Sequence, residues 1–200
     1  TFYKDLCEMS FYGGLNFDDT NARISIIDLK KELKYSNSVP YTKNFKNPNS
    51  WICSCIKLLE SLPLEIKSKL VNLAISGSSG TLIALDLKGD PIGEAITYYP
   101  DYKKNNELLE PISIGINQLQ TTKSTLSKAL ILIDKYGENI LLRLLSDWIT
   151  GWFLKDWTYG EAETNLTLGW DLIKESWPTN YLNNSWHKCL PLIIKSGRIM

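Results

Sequence analysis

The sequence has 200 residues, of which 44% are hydrophobic and 22% are charged, a composition typical of a globular protein with one substantial core. Its 22 basic and 22 acidic residues balance, so no excess of positive charge indicates a nucleic acid or a membrane surface as a partner. Because Thr1–Ser10 lacks the pattern of a signal peptide and no apolar run approaches the roughly 20 residues of a membrane span, we expect a cytoplasmic protein.

The first predicted elements are two strands joined by a polar turn. Phe11–Asn16 and Ala22–Asp28 are the strands, and Phe17–Asn21 is the turn. In the second strand Ile24 and Ile26 alternate with polar residues, which is the period of a strand that buries one face. The pattern therefore predicts a β-hairpin.

A third strand and two helices are predicted next. Leu33–Tyr41 favours a strand, whereas the segment Thr42–Ser50, rich in Asn, Lys and Pro, favours a loop. Trp51–Ser61 has apolar residues at helical spacing and ends before Pro63. Leu64–Leu70 favours a short further helix.

Further strands follow around a turn of small residues. Val71–Ser76 predicts an apolar, buried strand, and Ser76–Gly80 predicts a turn made of serine and glycine. Thr81–Leu87 predicts the next strand, Lys88–Pro91 a turn, and Ala95–Tyr99 a further strand. Strands interleaved with helices predict a layered α/β domain.

The second half of the chain is predicted to be helical and irregular. Ser124–Tyr136 and Asn139–Leu154 have apolar residues at helical spacing, with Gly137 between the two helices. Asp147 is expected to cap or pair within its helix region. Trp157–Gly169 is polar and favours at most a short helix, and the remaining residues are punctuated by proline and glycine.

Seven landmarks in one order along the chain carry a resemblance to a known family. One landmark is Trp51, which begins the first predicted helix, and the other six are short motifs. These motifs are Gly14–Arg23 (similar to G-I-D-F-G-T-S-G-A-R), Ala74–Thr81 (A-I-D-G-T-S-G-T), Tyr99–Lys103 (Y-x-D-x-R), Ser146–Gly151 (A-D-W-L-x-G), Leu166–Asp171 (L-K-L-G-Y-D) and Leu190–Gly197 (L-P-x-x-x-x-P-G). Taken together and in this order, they resemble the FGGY family of carbohydrate kinases, in particular its xylulose and ribulose kinases.

The resemblance implies an α/β, ribonuclease H-like fold, shared with actin-like ATPases, in which helices flank a mixed sheet and a helical subdomain follows. It implies that residues 1–200 form the N-terminal, sugar-binding domain of such a kinase. The sheet core is expected in residues 10–103 and the helical and irregular part in residues 104–200. The catalytic Asp and the C-terminal domain are expected beyond Met200, so the chain alone is expected to be inactive.

The activity that the resemblance implies is transfer of a phosphoryl group from ATP, with Mg²⁺, to a hydroxyl group of a sugar. A pentulose such as D-ribulose or xylulose is the expected substrate. A degenerate, non-catalytic sugar-binding or regulatory module is the alternative, because the predicted phosphate hairpin departs from the family pattern.

Ser78, Ser79 and Asp101 are the residues that the resemblance assigns to the sugar. A turn of small residues lets a polyol approach the backbone closely. Serine hydroxyls both donate and accept hydrogen bonds, as the hydroxyls of a sugar require. A serine–glycine turn without a ligand is the alternative, and Asp101 can instead form a surface ion pair with Lys103.

Asn16, Asp18, Asp19, Thr20 and Arg23 occupy the positions of the family's phosphate-binding hairpin. Asn16 replaces the Asp that orients the metal, and Asp18 and Asp19 replace a glycine and a threonine. These two carboxylates should repel a phosphate, because a pair of like charges about 4 Å apart repels by about 4 kcal/mol at an effective dielectric of about 20. A Mg²⁺ ion held by Asp18 or Asp19 would turn this repulsion of the phosphate into attraction. Alternatively, these residues only form the turn, for which Asp, Thr and Asn are suited, or keep a weak phosphate contact.

Overall fold

The computed structural model describes residues 10–97 and 125–199. The chain divides into two compact units, Thr1–Gly77 and Ser78–Met200. The first unit is built on a four-stranded sheet, and the second contains two small sheets together with helices. In the described ranges no helix has both the length and the apolar character that crossing a membrane requires.

The sheet of the first unit contains β1 (Phe11–Phe17), β2 (Asn21–Asp28), β3 (Leu33–Pro40) and β4 (Leu70–Gly77). Its strand order is β3-β2-β1-β4, with β1 antiparallel to β2 and parallel to β4. The sheet is therefore mixed, and the predicted hairpin and third strand are confirmed.

One face of this sheet is covered by α1 (Pro48–Ser61), which contacts β2 and β3. The alternation along β1 and β2 turns apolar side chains toward one face, while Arg23 and Ser25 are exposed. The short helix α2 (Leu64–Lys69) follows, as predicted. The buried apolar residues are Leu15, Phe17, Ala22, Ile24, Ile26, Trp51, Cys55, Leu58, Leu62 and Ile66.

The first helix begins three residues before its predicted start at Trp51. The side chain of Asn47 accepts a hydrogen bond from the N–H of Asn49 at 3.1 Å and so caps the helix. Pro48 stands in the first turn, where its missing N–H removes no intrahelical bond. The prediction of a loop through Ser50 is therefore wrong over its last three residues.

The strand β4 forms as predicted, but it is not buried. Val71 is 59% exposed, and Asn72, Ala74 and Ser76 are also exposed. This strand lies at one edge of the sheet, whereas α1 packs on the two strands at the opposite side. An apolar run thus predicted the strand correctly, but its burial depends on what packs against it.

The second unit pairs β5 (Leu82–Leu85) antiparallel with β6 (Leu141–Leu144), and β7 (Tyr159–Glu161) parallel with β8 (Leu192–Ile194). The helices within its described residues are α3 (Thr125–Tyr136), α4 (Leu145–Leu154), α5 (Thr179–Leu182) and two 3₁₀ helices, Thr164–Leu168 and Ser185–Cys189. Its core includes Leu82, Leu126, Leu142, Leu168, Tyr181 and Trp186.

The segment predicted as one helix, Asn139–Leu154, is a strand followed by a helix. Leu141–Leu144 pairs with Leu82–Leu85, and α4 begins only at the next residue. A short apolar run fits the period of either element, and here the partner strand decides. Gly137, with φ of 76°, ends α3 as predicted.

The segment after β5 forms the predicted turn. Oδ1 of Asp86 accepts hydrogen bonds from the N–H of Lys88 (2.8 Å) and of Asp90 (3.0 Å). The strand predicted from Ala95 is reduced, within the described residues, to one antiparallel bridge between Ile96 and Leu82. The end of that predicted strand lies outside the described residues.

Two tryptophans join α4 to the turn after β5. The indole N–H of Trp148 donates to the carbonyl of Gly89 (3.0 Å), and that of Trp157 donates to the carbonyl of Trp148 (3.2 Å). The ring of Trp157 lies so close to Gly89 and Gly151 that an added Cβ would come within 2.2 Å and 2.4 Å of it, respectively. Packing therefore requires glycine at both positions.

Candidate functional site

The turn of the hairpin is closed by the side chain of Asp18. Its Oδ1 accepts hydrogen bonds from the N–H of Thr20, the hydroxyl of Thr20 and the N–H of Asn21, each at 2.8 Å. Its Oδ2 lies 2.7 Å from Nη2 of Arg23. The turn thus uses its own carboxylate to satisfy donors that could otherwise face an incoming anion.

These contacts favour the ionised form of Asp18. Partial burial raises the pKa of this carboxyl, but the hydrogen bonds from Asn21 and Thr20 and the charge of Arg23 outweigh it, and the pKa lies below its ordinary value. The hydroxyl of Tyr41 donates to the carbonyls of Asp18 (2.7 Å) and Asn21 (2.9 Å). Burial and, to a smaller extent, the charges of Asp18 and Asp19 raise the pKa of Tyr41. Its hydroxyl therefore stays protonated and can donate to the turn.

Asn16, at the end of β1, pairs with Ser76 of β4. The parallel register places the two residues side by side, and Nδ2 of Asn16 donates to Oγ of Ser76 at 2.9 Å. Both positions hold Asp in the FGGY motifs that these segments resemble, so a neutral pair stands where those motifs have two carboxylates. Asp19 is exposed next to Asp18, and residues 10–97 and 125–199 contain no group of three or more His, Cys, Asp or Glu side chains that could hold a metal.

The Ser78–Thr81 turn leads into β5. The N–H of Thr81 donates to the carbonyl of Ser78 at 3.3 Å, and Gly80 has φ of 68°, in the left-handed region that favours glycine. Ser78 is half-buried, whereas Ser79 is exposed and forms no side-chain hydrogen bond with the part of the chain that the structure describes. Of the two predicted sugar contacts here, Ser79 is therefore the more accessible.

Helix α3 supports this turn. Nζ of Lys128 donates to the carbonyl of Gly80 at 2.6 Å, although this side chain is only 1% exposed. An added Cβ on Gly80 would lie 2.9 Å from Oγ1 of Thr125, one helical turn before Lys128. Burial lowers the pKa of Lys128 to about 8. Lys128 was not predicted as a site residue, although a single charge within the otherwise small and apolar run Leu126–Leu132 is a signal.

Two parts of the predicted site lie outside the residues that the structure describes. Asp101 and Lys103 fall within residues 98–124, outside the described ranges. The catalytic Asp is expected beyond Met200 and corresponds to no residue of this sequence. Both contributions stay predictions.

Asp147, within one of the family-like motifs, is buried and bonded outside its helix. Its Oδ1 accepts a hydrogen bond from the N–H of Glu161 (3.0 Å), and its Oδ2 accepts one from Nδ2 of Asn165 (2.8 Å). These bonds tie α4 to β7 and to the following 3₁₀ helix, so the prediction that Asp147 caps or pairs within its helix region is wrong. Burial raises its pKa to about 6 against the opposing effect of the hydrogen bonds.

No protein-family model matches the sequence. Solved structures that match include the glycerol kinase of Plasmodium falciparum with ADP (18% identity, TM-score 0.69), the ligand-bound xylulose kinase of Lactobacillus acidophilus (14%, 0.75) and the gluconate kinase of the same organism (15%, 0.74). Each match covers 92% of this chain and, in that order, 43%, 42% and 42% of the kinase chain. The chain thus spans less than half the length of these kinases. At these identities the likeness shows the fold: the chain has the α/β, ribonuclease H-like fold of carbohydrate kinases and other actin-like ATPases, which its resemblance to the FGGY family predicts.

Proposed function

We propose that this chain is the N-terminal, sugar-binding part of an ATP-dependent carbohydrate kinase, which phosphorylates a hydroxyl group of a pentulose such as D-ribulose or xylulose. The observation that carries the proposal is the small-residue turn Ser78–Thr81 in a fold shared with kinases of glycerol, xylulose and gluconate. Those kinases are named for polyhydroxylated molecules, and a polyol is the class of ligand that exposed serine hydroxyls suit.

The turn offers a polyol the hydroxyl of Ser79. Ser79 is exposed, and its hydroxyl can donate one hydrogen bond and accept others. Gly80 is buried, and Thr125 and Lys128 occupy the space beside its Cα, so its backbone is not part of the proposed contact. Ser78 and Asp101 complete the proposed sugar contacts.

The proposed nucleotide contacts are Asn16, Asp18, Asp19, Thr20 and Arg23, with Asp18 and Asp19 as ligands of Mg²⁺. In a kinase reaction ATP supplies the phosphoryl group and Mg²⁺ neutralises its charge. In the folded hairpin, however, three donors are committed to Oδ1 of Asp18, and Arg23 is paired with its Oδ2. A phosphate or Mg²⁺ therefore fits this turn only if Asp18 leaves its partners, which removes the hydrogen bonds that close the turn.

Calorimetric titration of the protein with D-xylulose, D-ribulose and glycerol tests the sugar-binding part of the proposal. We expect a pentulose to bind, and Ser79→Ala to weaken that binding about three- to tenfold, the effect of one lost neutral hydrogen bond. Ser36→Ala is the matched control, because Ser36 is an exposed serine of β3 in the other unit, and it should leave the affinity unchanged. Absence of binding for all three ligands, or equal affinity for Ser79→Ala, contradicts the proposal.

A second candidate function, a non-catalytic sugar-binding or regulatory module, is favoured by the chemistry of the first unit. In the hairpin turn the donors of Thr20 and Asn21 are bonded to Asp18, and a neutral Asn16–Ser76 pair stands where the family motifs have two carboxylates, so both positions suit a phosphate and a metal less well than the family pattern does. Titration with ADP and Mg²⁺ separates the two functions, using the protein together with any coding sequence that follows Met200. Binding of ADP supports the kinase, whereas pentulose binding without ADP binding supports the module. Asp18→Gly, which releases the N–H groups of the turn, should then gain affinity for ADP.

A further inference from the structure

The buried amine of Lys128 has no part in the function proposed above, yet it is bonded to the turn that carries Ser79. We propose that Lys128 is a positioning residue: by donating to the carbonyl of Gly80, it holds the Ser78–Thr81 turn in the conformation that offers the serine hydroxyls to a sugar. For its ligand, this inference rests on the proposed sugar-binding function.

The position of Lys128 is unfavourable for a charged side chain unless its amine forms a bond that an apolar side chain cannot. It is 1% exposed and lies in a helix whose neighbouring residues, from Leu126 to Leu132, are otherwise small or apolar. A buried ammonium loses its hydration, and the pKa of about 8 reflects that loss. The bond of 2.6 Å to the carbonyl of Gly80 is a charge-assisted hydrogen bond that offsets part of it. The hydrogen bond that its amine donates to Gly80 therefore explains why a lysine occupies this buried position.

The turn itself supplies little of its own support. Its internal backbone bond, from the N–H of Thr81 to the carbonyl of Ser78, is long at 3.3 Å. Gly80 adopts a left-handed conformation, and Thr125 and Lys128, which lie on the same face of α3, approach it from the helix. The conformation of the turn therefore depends on the helix.

Support from a separate helix leaves the hydroxyl of Ser79 for a ligand. Ser79 is exposed and, among the residues of the described ranges, has no side-chain partner. A turn that is already ordered binds more tightly, because ordering it during binding would subtract from the binding free energy. Removing the bond from Lys128 should therefore weaken sugar binding although the serines themselves are unchanged.

Lys128→Met tests the inference, with Lys135→Met, an exposed lysine of the same helix, as the matched control. We expect Lys128→Met to weaken D-xylulose or D-ribulose binding by about tenfold, as loss of a charge-assisted hydrogen bond implies, and Lys135→Met to leave it unchanged. In combination with Ser79→Ala, Lys128→Met should cause a smaller loss than it does alone, because part of its effect passes through the hydroxyl that Ser79→Ala removes. Unchanged affinity of Lys128→Met, or fully additive losses in the double variant, overturns the inference.

NMR of the unmodified protein keeps the test valid if Lys128→Met does not fold. The ammonium signal of Lys128 should shift when D-xylulose or D-ribulose is added, whereas that of Lys135 should not. Pentulose binding without such a shift overturns the inference. If the unmodified protein binds no pentulose, the proposed function fails instead. If Lys128→Met folds, the amide shifts of Ser79 and Gly80 in this variant then decide whether the lysine holds the turn: unchanged shifts refute it, and altered shifts support it.

Discussion

The Asp18–Asn21 turn and the Ser78–Thr81 turn both lie where a ligand is proposed to bind, but their hydrogen bonds come from different places. In the first turn, the Asp18 side chain accepts three bonds from the turn itself and pairs with Arg23. In the second, support comes from a lysine 48 positions away in the sequence. The first turn closes on its own side chain and has donors committed to it, whereas the second turn is supported by another element and leaves the hydroxyl of Ser79 exposed.

The largest effect is expected from Gly80→Ala, which tests the support of the second turn. Its Cβ would lie 2.9 Å from Oγ1 of Thr125 on a backbone with φ of 68°, so the variant meets both a clash and backbone strain. We expect the free energy of unfolding of the second unit to fall by about 3 kcal/mol in chemical denaturation. Gly14→Ala is the control, because nothing lies within 4 Å of the added Cβ, and it should change stability by less than about 0.5 kcal/mol. Equal losses would refute the contrast.

Asp147→Asn should have the next largest effect, and it contrasts a buried carboxylate with the partly exposed one of Asp18. The NH₂ group of Asn cannot accept one of the two hydrogen bonds that Asp147 accepts, so about 2 kcal/mol should be lost near neutral pH. Burial holds the folded pKa at about 6, above the ordinary value of 3.8. The unmodified protein should therefore gain stability over Asp147→Asn as the pH falls from about 7 to about 4, and lose that gain as the pH rises through the folded pKa. Denaturation curves across this range measure the difference, and a constant difference contradicts the prediction.

Asp18→Ala tests whether the first turn is closed by its own carboxylate. We expect a loss of about 1 kcal/mol near neutral pH, because the N–H groups of Thr20 and Asn21 lose their acceptor. The pKa of Asp18 is lowered on folding, so its contribution is present above the ordinary value of 3.8 and disappears as the pH falls through the folded pKa. Arg23→Ala, which removes only a half-exposed ion pair, should cost less. Denaturation of each variant near neutral pH and in acid gives the comparison, and an Asp18→Ala loss that persists in acid would be inconsistent with this account.

The smallest effect on stability is expected from adding Mg²⁺ to a variant that has carboxylates at the ends of β1 and β4. In the double variant Asn16→Asp, Ser76→Asp, two carboxylates would replace side chains whose polar atoms are now 2.9 Å apart. Their repulsion should lower the melting temperature, and millimolar Mg²⁺ should restore it, a gain below about 1 kcal/mol. The unmodified protein is the control. Stabilisation of that control by Mg²⁺ would instead support Asp18 and Asp19 as metal ligands.

The sequence predicts best where local pattern decides the structure. The alternation of Ile24 and Ile26 was sufficient for the hairpin, and the helical spacing after Trp51 for α1. Leu141–Leu144 was predicted wrongly, because a short apolar run fits a helix or a strand until its partner is known. The burial of β4 could not be predicted either, because it depends on which elements pack against that strand.

The residues of the candidate site could be predicted from the sequence, but their side-chain conformations and hydrogen bonds could not. Resemblance to motifs could assign Asp18 and Ser79 to candidate sites. It could not show that the carboxylate of Asp18 turns back onto its own turn, because that depends on a side-chain conformation. The bond between Lys128 and Gly80 joins segments that only the folded chain brings together, so no local pattern contains it.

The indole of Trp157 has a consequence for how the second unit moves. Its ring rests on Gly89 and Gly151, and its N–H is bonded to Trp148, so the turn after β5, the helix α4 and the segment before β7 share one side chain. None of the three can separate from the others without exposing that ring to water. They should therefore open together, and amide hydrogen exchange in all three segments is expected to proceed at a single opening free energy, as in one cooperative unit.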